Sequence, residues 1–240
     1  MALFEVKQLT KRFGGLTAVN NLSFEVHEGE IVGLIGPNGA GKTTVFNLIS
    51  GIHKPNEGSI TLEGREMIRL PPHRRSLAGI GRTFQVVRSF EMTVLENVMV
   101  PALARDKNPA KARQSALNIL EMMGSLELAD KVPGSLTLAQ RKRVEVARAM
   151  ATKPKLLLLD EVLAGLNHTE VAQNLPLIRQ VRDQGVTIIF IEHLMDAVMN
   201  VSERVLVMDQ GALISSGTPA EVTSDHCVIK AYLGEEAPQC

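Results

Sequence analysis

Aromatic residues are scarce in this chain, which contains no tryptophan, one tyrosine and seven phenylalanines among its 240 residues. Proteins that bind single-stranded nucleic acids stack the bases on aromatic rings, so this composition argues against that function. An excess of one charge sign is also missing, because 26 basic and 26 acidic residues give a formal net charge of zero. No overall field therefore attracts DNA, RNA or an acidic lipid surface.

Cysteines and long apolar runs are also rare. The two cysteines, Cys227 and Cys240, do not have the spacing of a metal site, and we expect free thiols, with a disulfide as the alternative. No apolar run approaches the roughly 18 residues of a membrane span, and the N-terminus alternates like a strand rather than like a signal peptide. We therefore expect a cytoplasmic protein that reaches a membrane only through a partner.

The strongest local feature is the stretch GPNGAGKTT at residues 36–44, which matches the P-loop pattern G-x-x-x-x-G-K-[ST]. The apolar run before it predicts a buried strand, and residues 43–50 predict a helix that ends at Gly51. A glycine loop between strand and helix offers backbone N–H groups and the helix dipole to phosphate oxygens. In this motif Lys42 reaches the β- and γ-phosphates and the Thr43 hydroxyl binds Mg²⁺. The alternative is a glycine-rich turn, but the strand-to-helix setting favours a nucleoside triphosphate site.

Two further apolar runs end in polar residues. Residues 156–159 are four leucines followed by Asp160 and Glu161, and residues 186–191 precede Glu192 and His193. Such runs are typical of buried parallel strands, and ligands gather at the carboxyl ends of these strands. We therefore expect Asp160 to hold Mg²⁺ and Glu161 to polarise an attacking water. The alternative is a carboxylate pair that only caps the strand.

The remaining pattern predicts an antiparallel layer from residues 3–7, 22–26 and 59–62, and a hairpin over residues 204–215. Helices are predicted from Val94, with interruptions at Pro101 and Pro109, and over residues 110–123 and 140–152. Phe13 has two interpretations, because it is either a core residue or an exposed ring on which adenine stacks.

Taken together, these residues resemble the nucleotide-binding subunit of an ATP-binding cassette (ABC) transporter over nearly the whole chain. Its motifs stand in the family's order. They are Phe13 as the adenine-stacking aromatic, the P-loop at 36–44, Gln85 of the Q-loop, LTLAQ at the signature position 136–140, the Walker B strand at 156–160, Glu161 as the catalytic glutamate, the D-loop AGLN at 164–167 and His193 as the switch histidine.

This resemblance implies an α/β fold with a P-loop NTPase (RecA-like) core, an antiparallel β-subdomain and an inserted α-helical subdomain. Residues 1–240 would form one domain, in which 1–85 and 151–240 are the β-subdomain plus core and 86–150 are the helical subdomain. It implies catalytic roles for Glu161, His193 and Gln85, and Mg²⁺ binding by Thr43, Gln85 and Asp160. The residues implied in ATP binding are Phe13, Val19, Gly36, Pro37, Asn38, Gly39, Ala40, Gly41, Lys42, Thr43 and Thr44, with Thr137, Leu138, Ala139 and Gln140 acting in trans on the ATP of an opposing subunit.

The resemblance also implies partners. Two ATPase subunits, identical or sister chains, would face each other beneath transmembrane permease subunits at the inner face of the membrane, with an extracytoplasmic substrate-binding protein and no nucleic acid. Two departures from the family pattern concern the shared site. In the first, Leu138 and Ala139 replace both glycines of the family's signature Leu-Ser-Gly-Gly-Gln, so Leu138 must turn its side chain away from the nucleotide. In the second, Asn167 replaces the usual D-loop aspartate.

Within the family, FGGLTAVN at 13–20, GIGRTFQ at 79–85 and MTVLEN at 92–97 are similar to the G-type ATPase subunit of branched-chain amino-acid importers. Related importers for urea or another amide or amino acid share much of this pattern and remain an alternative. A second alternative is a soluble, non-transport ABC ATPase of repair or translation, although the tandem cassettes, coiled coils or basic extensions of those proteins are absent here. A P-loop kinase or switch GTPase is disfavoured because those classes lack the combination of Gln85, the signature segment and His193.

Overall fold

The structure is a computed structural model that describes residues 2–83 and 90–233. The described strands form two sheets. In chain order they are β1 (Ala2–Phe13), β2 (Leu16–His27), β3 (Ile31–Ile35), β4 (Glu57–Leu62), β5 (Arg65–Glu66), β6 (Ile80–Arg82), β7 (Leu156–Asp160), β8 (Thr187–Ile191), β9 (Arg204–Asp209) and β10 (Ala212–Gly217).

The helices surround the larger sheet. They are α1 (Lys42–Ser50), α2 (Pro72–Ala78), α3 (Val94–Arg105), α4 (Pro109–Met122), α5 (Leu138–Met150), α6 (His168–Asp183), α7 (Met195–Val201), α8 (Pro219–Ser224) and α9 (His226–Leu233). Two short 3₁₀ helices, Leu126–Leu128 and Pro133–Ser135, connect α4 to α5.

The central sheet has the strand order β10-β9-β3-β8-β7-β6, in which only the β9–β10 pair is antiparallel. Every residue of β3, β7 and β8 is buried, which explains why these strands appear in the sequence as continuous apolar runs. Ile191 pairs with both Leu34 and Asp160, so the carboxyl ends of β3, β8 and β7 lie side by side. The residues that follow these three strands therefore meet at one edge of the sheet.

A second, four-stranded antiparallel sheet has the order β2-β1-β4-β5, as predicted for the first part of the chain. Its strands are longer than the predicted segments, since β1 and β2 each span 12 residues. Alternate residues of β3 face opposite cores. Val32 and Leu34 pack with the antiparallel sheet and α1, whereas Ile31 and Ile35 pack with α3–α7. The central sheet is thus the middle layer of the fold.

The helical region begins where the capping box of Thr93 and Glu96 predicted it. The Thr93 side chain accepts from Glu96 N–H, and the Glu96 carboxylate accepts from Thr93 N–H. The predicted interruption at Pro101 is wrong, since α3 continues through this residue to Arg105. Packing of α3 against α4 and α5 outweighs the proline penalty here. The predicted break at Pro109 is confirmed, because this residue begins α4.

The structure also bears on the cysteines and on membrane-spanning helices. Cys227 is disulfide-bonded, so the expectation of a free thiol is wrong for this residue. Cys240, the other cysteine of the chain, lies outside the described residues. Among residues 2–83 and 90–233, no helix has the length and apolar character that crossing a membrane requires.

Candidate nucleotide-binding site

A cleft of about 660 Å³ opens at the carboxyl edge of the central sheet. Its size is within the range of small-molecule and cofactor sites. The residues that line it are Phe13, Leu16, Thr17, Ala18, Asn38, Gly39, Gly41, Lys42, Thr43, Thr44, Glu161, His193 and Gln210. The structure therefore brings the aromatic at position 13, the P-loop, Glu161 and His193 into one site, although they come from distant parts of the sequence.

The P-loop between β3 and α1 depends on glycine at two positions. Gly36 has φ 148° and Gly41 has φ 102°. A Cβ atom at these positions would lie 2.0 Å from the Met208 carbonyl oxygen and 2.3 Å from the Ala18 carbonyl oxygen, respectively. Within residues 2–83 and 90–233, no side chain caps the N-terminus of α1, so its first-turn N–H groups can face an anion.

Lys42 lies at the floor of this loop. Its ammonium Nζ donates to the carbonyl oxygens of Gly36 at 2.7 Å and Pro37 at 3.0 Å. Burial lowers the pKa of Lys42, and the nearby charge of Glu161 partly opposes this effect. The side chain is thus folded back onto the loop and must swing from these carbonyls to reach a phosphate.

Asp160 ends β7 and is 2% exposed. Its Oδ2 accepts a hydrogen bond from Arg82 Nη2 at 2.8 Å, and its backbone N–H donates to Thr83 Oγ1 at 3.0 Å. Arg82 also donates to Asn47 Oδ1 and Ser50 Oγ of α1. This arginine joins the helix after the P-loop to the strand that carries Asp160. Local sequence does not predict this role, because Arg82 stands in GIGRTFQ without a charged neighbour.

Glu161 and His193 form the polar wall opposite the loop. Glu161 Oε1 lies 2.8 Å from His193 Nε2, and the two side chains are 14% and 48% exposed. Glu161 has a left-handed backbone with φ 51°, which is uncommon for a residue with a Cβ atom. Its N–H donates to the Ile191 carbonyl oxygen at 2.9 Å, so this unusual peptide is tied to the end of β8. A carboxylate and an imidazole thus face the cleft together.

Some predicted residues do not line the cleft. Val19 is fully buried in the core beneath it, whereas its neighbours Thr17 and Ala18 form the wall. Ala40 is buried, and its carbonyl oxygen accepts from Gly211 N–H. Pro37 contributes its carbonyl oxygen to Lys42 rather than a surface. Gln85, predicted for catalysis and Mg²⁺, lies outside the described residues.

The signature segment lies at the start of α5, away from this chain's own cleft. The Thr137 hydroxyl accepts from Gln140 N–H at 3.3 Å and Gln140 Oε1 accepts from Thr137 N–H at 3.0 Å, so the two form a capping box. Ala139 is buried. A Cβ atom on Gly165 would lie 3.0 Å from Leu138 Cδ2, so Leu138 extends over the D-loop of its own chain.

Phe13 is 42% exposed at the cleft rim, where its ring packs edge-on against His53 at 5.2 Å and carries Lys11 Nζ at 4.9 Å from its centroid. The interpretation of Phe13 as a core residue is therefore wrong, and adenine stacking on the exposed ring stays a prediction. Leu16 and Gln210 also line the cleft and were missed. Only the proximity of Leu16 to Phe13 could have suggested its place; no local pattern marks Gln210.

A phosphate-binding loop after one parallel strand, with Asp and Glu at the end of a nearby strand, is the site of a P-loop ATPase. The sequence pattern of the family described as ABC transporter matches residues 19–164. A second pattern, described as Branched-chain amino acid ATP-binding cassette transporter, matches residues 212–238. The chain belongs to the ABC transporter family and is an ABC ATPase.

Relatives match over nearly the full length. The chain is 45% identical to the high-affinity branched-chain amino acid transport ATP-binding protein LivG of Salmonella typhimurium, with 97% of this chain and 98% of LivG covered. It is 42% identical to the corresponding protein BraF of Pseudomonas aeruginosa, with the same coverage of 97% and 98%. The lipopolysaccharide export system ATP-binding protein LptB of Escherichia coli is 38% identical, with 98% of this chain and 99% of LptB covered.

Solved structures have the same fold. A nucleotide-free ATP-binding cassette from an ABC transporter superposes with a TM-score of 0.88 at 30% identity, covering 98% of this chain and 100% of that one. A dimeric post-hydrolysis cassette bound to ADP and Pi superposes with a TM-score of 0.81 at 26% identity, covering 90% and 98%. The α/β core, the antiparallel sheet and the helical region predicted from the sequence are therefore confirmed.

Proposed function

We propose that this chain is the ATP-hydrolysing subunit that powers an importer of branched-chain amino acids. The observation that carries the substrate class is the 45% identity to LivG over 97% of this chain, together with the match of residues 212–238 to the branched-chain family pattern. The export protein LptB is less similar at 38%, which favours import over export.

The residues of the cleft suit Mg²⁺ bound with ATP. Asp160 Oδ2 is taken by Arg82, whereas Oδ1 accepts no hydrogen bond from the described part of the chain. The Thr43 side chain is exposed in the cleft. One carboxylate oxygen and one hydroxyl, with the remaining ligands from phosphates and water, form the donor set that Mg²⁺ prefers. When bound there, the ion would neutralise charge on the β- and γ-phosphates. Gln85 is proposed as a third ligand from sequence alone.

Each wall of the cleft has a part in hydrolysis. The loop and Lys42 would hold the phosphates, and Phe13 would stack on the adenine. Glu161, a carboxylate in the cleft, would orient the attacking water, and His193, whose Nε2 lies 2.8 Å from Glu161 Oε1, would donate to the γ-phosphate. Val19, Pro37 and Ala40 would support the site from behind.

The site is open on one side, because the signature segment of the same chain does not reach it. We propose that Thr137, Leu138, Ala139 and Gln140 act on the ATP of a second ATPase subunit, which is either an identical or a sister chain. Leu138 extends over Gly165 of its own D-loop, which leaves room for that close approach. The dimeric cassette with ADP and Pi supports this arrangement. Residues 86–150 would form the moving subdomain, against 1–85 and 151–240.

In this proposal the ATPase pair sits on transmembrane permease subunits at the inner face of the membrane and works with an extracytoplasmic substrate-binding protein. Closure of the pair around ATP would drive the permease, and hydrolysis would release it. Purifying the chain from membranes tests the assembly. We expect permease subunits to copurify, and uptake of labelled leucine, but not of urea, to depend on the chain. A complex without any membrane-spanning subunit would contradict the transporter assignment.

The catalytic assignment is tested by Glu161→Gln. This change removes the carboxylate that orients water but keeps the shape, so we expect ATP affinity to stay within about twofold and turnover to fall on the order of 100-fold or more. Affinity is measured with a fluorescent ATP analogue and turnover by phosphate release. Hydrolysis at the wild-type rate in this variant would refute the role of Glu161.

A further inference from the structure

A buried lysine of α5, Lys142, contacts the main chain of Glu161. The residue is 6% exposed, and its Nζ donates to the Glu161 carbonyl oxygen at 2.8 Å. Buried ammonium groups usually pair with a carboxylate, because burying a charge is unfavourable unless it is paired and hydrogen-bonded. Here the group is placed on a peptide carbonyl next to the cleft.

The peptide that Lys142 contacts has an unfavourable conformation. Glu161 has φ 51°, and such left-handed residues persist only where the surroundings hold them. Three hydrogen bonds do so. The Glu161 N–H donates to Ile191 of β8, and its carbonyl oxygen accepts from Ala164 N–H at 3.2 Å and from Lys142 of α5. Of the three, only the bond from Lys142 comes from a side chain on another element, so it connects α5 to the direction in which the Glu161 carboxylate leaves the backbone.

The same helix touches this segment of the chain at a second point. Leu138, one turn before Lys142, extends over Gly165. A third contact comes from the residue after Lys142, since Arg143 Nε donates to Asn174 Oδ1 of α6 at 2.9 Å. The helix that begins with the signature segment is thus connected to residues 161–174 from two successive turns. Any movement of α5 would be transmitted to the Glu161 peptide.

The charge of Lys142 also reaches Glu192, which is 2% exposed and accepts from Leu163 N–H at 2.6 Å. Burial raises the pKa of Glu192, and Lys142 is among the groups that lower it. The lysine therefore acts electrostatically on the strand end that carries His193, as well as through its hydrogen bond to Glu161.

We propose that Lys142 is a positioning residue for ATP hydrolysis, which holds the Glu161 peptide in its left-handed conformation and links the signature helix to the orientation of the catalytic carboxylate. This inference rests on the proposed role of Glu161. It makes a distinctive prediction, because Lys142 touches neither the P-loop nor the wall on which adenine stacks. Its loss should change turnover without changing ATP binding.

The test compares three variants of the full chain. Lys142→Met removes the ammonium while keeping the aliphatic length, Lys142→Arg keeps donors, and Lys111→Met makes the same chemical change on the exposed face of α4. We expect Lys142→Met to lower kcat on the order of 10- to 100-fold, as misorientation of a catalytic group does, with KM for ATP within about twofold. Lys142→Arg should recover most of the rate, and Lys111→Met should match the wild type.

Coupling to Glu161 is measured in a double variant. Because Lys142 acts through Glu161, adding Lys142→Met to Glu161→Gln should not lower the residual rate further. A wild-type rate in Lys142→Met, an equal loss in Lys142→Arg, or a fully additive loss in the double variant would overturn the inference. If Lys142→Met does not fold, Lys142→Gln replaces it. Misfolding of both variants, with a folded Lys142→Arg, would assign only a structural role and also overturn it.

The two proposals fail differently. A wild-type rate in Glu161→Gln would refute the catalytic role of Glu161, and with it the proposed function of the site. A stalled Glu161→Gln together with a wild-type Lys142→Met would leave that function intact and overturn only the role of Lys142.

Discussion

The ion pair of Arg82 and Asp160 provides a sharp test of what burial does to a charged contact in this protein. Arg82 Nη2 lies 2.8 Å from Asp160 Oδ2, and the two side chains are 7% and 2% exposed. A matched pair exists at the surface, where Arg12 Nη1 lies 2.8 Å from Glu57 Oε1 and the side chains are 48% and 60% exposed. The two contacts have the same length and chemistry and differ in burial.

The perturbation is Arg82→Met, with Arg12→Met as its control. Breaking a buried pair leaves an uncompensated charge and costs about 3–5 kcal/mol of unfolding free energy. For a chain of this size that corresponds to a fall in Tm of roughly 6–20 °C. An exposed pair contributes about 0–1 kcal/mol because water and salt screen it, so Arg12→Met should lower Tm by no more than about 4 °C. Loss of the Arg82 bonds to Asn47 and Ser50 acts in the same direction.

Circular dichroism is the suitable assay, since the chain has no tryptophan and one tyrosine to report unfolding by fluorescence. Thermal and urea unfolding should give the same order of stability among the variants. Adding Asp160→Asn to Arg82→Met removes the buried charge and should restore much of the loss. If Arg82→Met and Arg12→Met destabilise the protein equally, burial does not control the strength of this contact and the reasoning is refuted.

Two further predictions concern Glu192 and Gly36. Burial raises the pKa of Glu192 from 4.5 to about 7. Between these two pH values the folded state binds a proton that the unfolded state has released. The resulting contribution to stability is fully present below about pH 4.5 and is lost as the pH rises through 7. Glu192→Gln keeps an acceptor for Leu163 N–H but cannot titrate. In urea unfolding between pH 5 and 8 it should remove on the order of 3 kcal/mol from the change of unfolding free energy with pH. The same change in the variant as in the wild type would contradict the raised pKa of Glu192. Gly36→Ala places a Cβ atom 2.0 Å from the Met208 carbonyl oxygen and should abolish binding of a fluorescent ATP analogue. The control is Gly29→Ala, which is also at positive φ (74°) but has open space around it. This control should lose only about 1 kcal/mol of unfolding free energy and should bind the analogue normally.

Several parts of the site were predictable because their requirements are local. Gly36 and Gly41 need backbone conformations and close approaches that other residues do not tolerate, so the loop is visible in the sequence as a fixed pattern. The buried parallel strands are visible because both of their faces are covered, which makes them continuously apolar. The capping box at Thr93 marks the start of α3 for the same local reason.

Other parts were not predictable from local patterns. Val19 has the position of a cleft residue in the sequence but points into the core, whereas the residues just before it, 16–18, line the cleft. The register of β1 and β2 shifts on both sides of the Lys11–Val19 pair, so simple alternation does not predict which side each residue faces. Pro101 signals a helix break, yet helix packing keeps α3 intact. Lys142 belongs to the basic run at 141–143, and such runs are usually solvated, whereas Arg82 is the one charged residue of GIGRTFQ. The structure buries Arg82 on Asp160 and Lys142 on the Glu161 carbonyl oxygen.

Local sequence is enough to establish that this chain has a phosphate-binding loop, that a carboxylate pair follows a buried strand, and that the motifs have the order of an ABC ATPase. These features are read from residues a few positions apart, whose steric and hydrogen-bonding needs are the same in any surroundings. The buried charges that hold Asp160 and Glu161 in place are visible only in the folded chain. Those partners lie on other elements, and the sheet order and helix packing that bring them together depend on the whole chain.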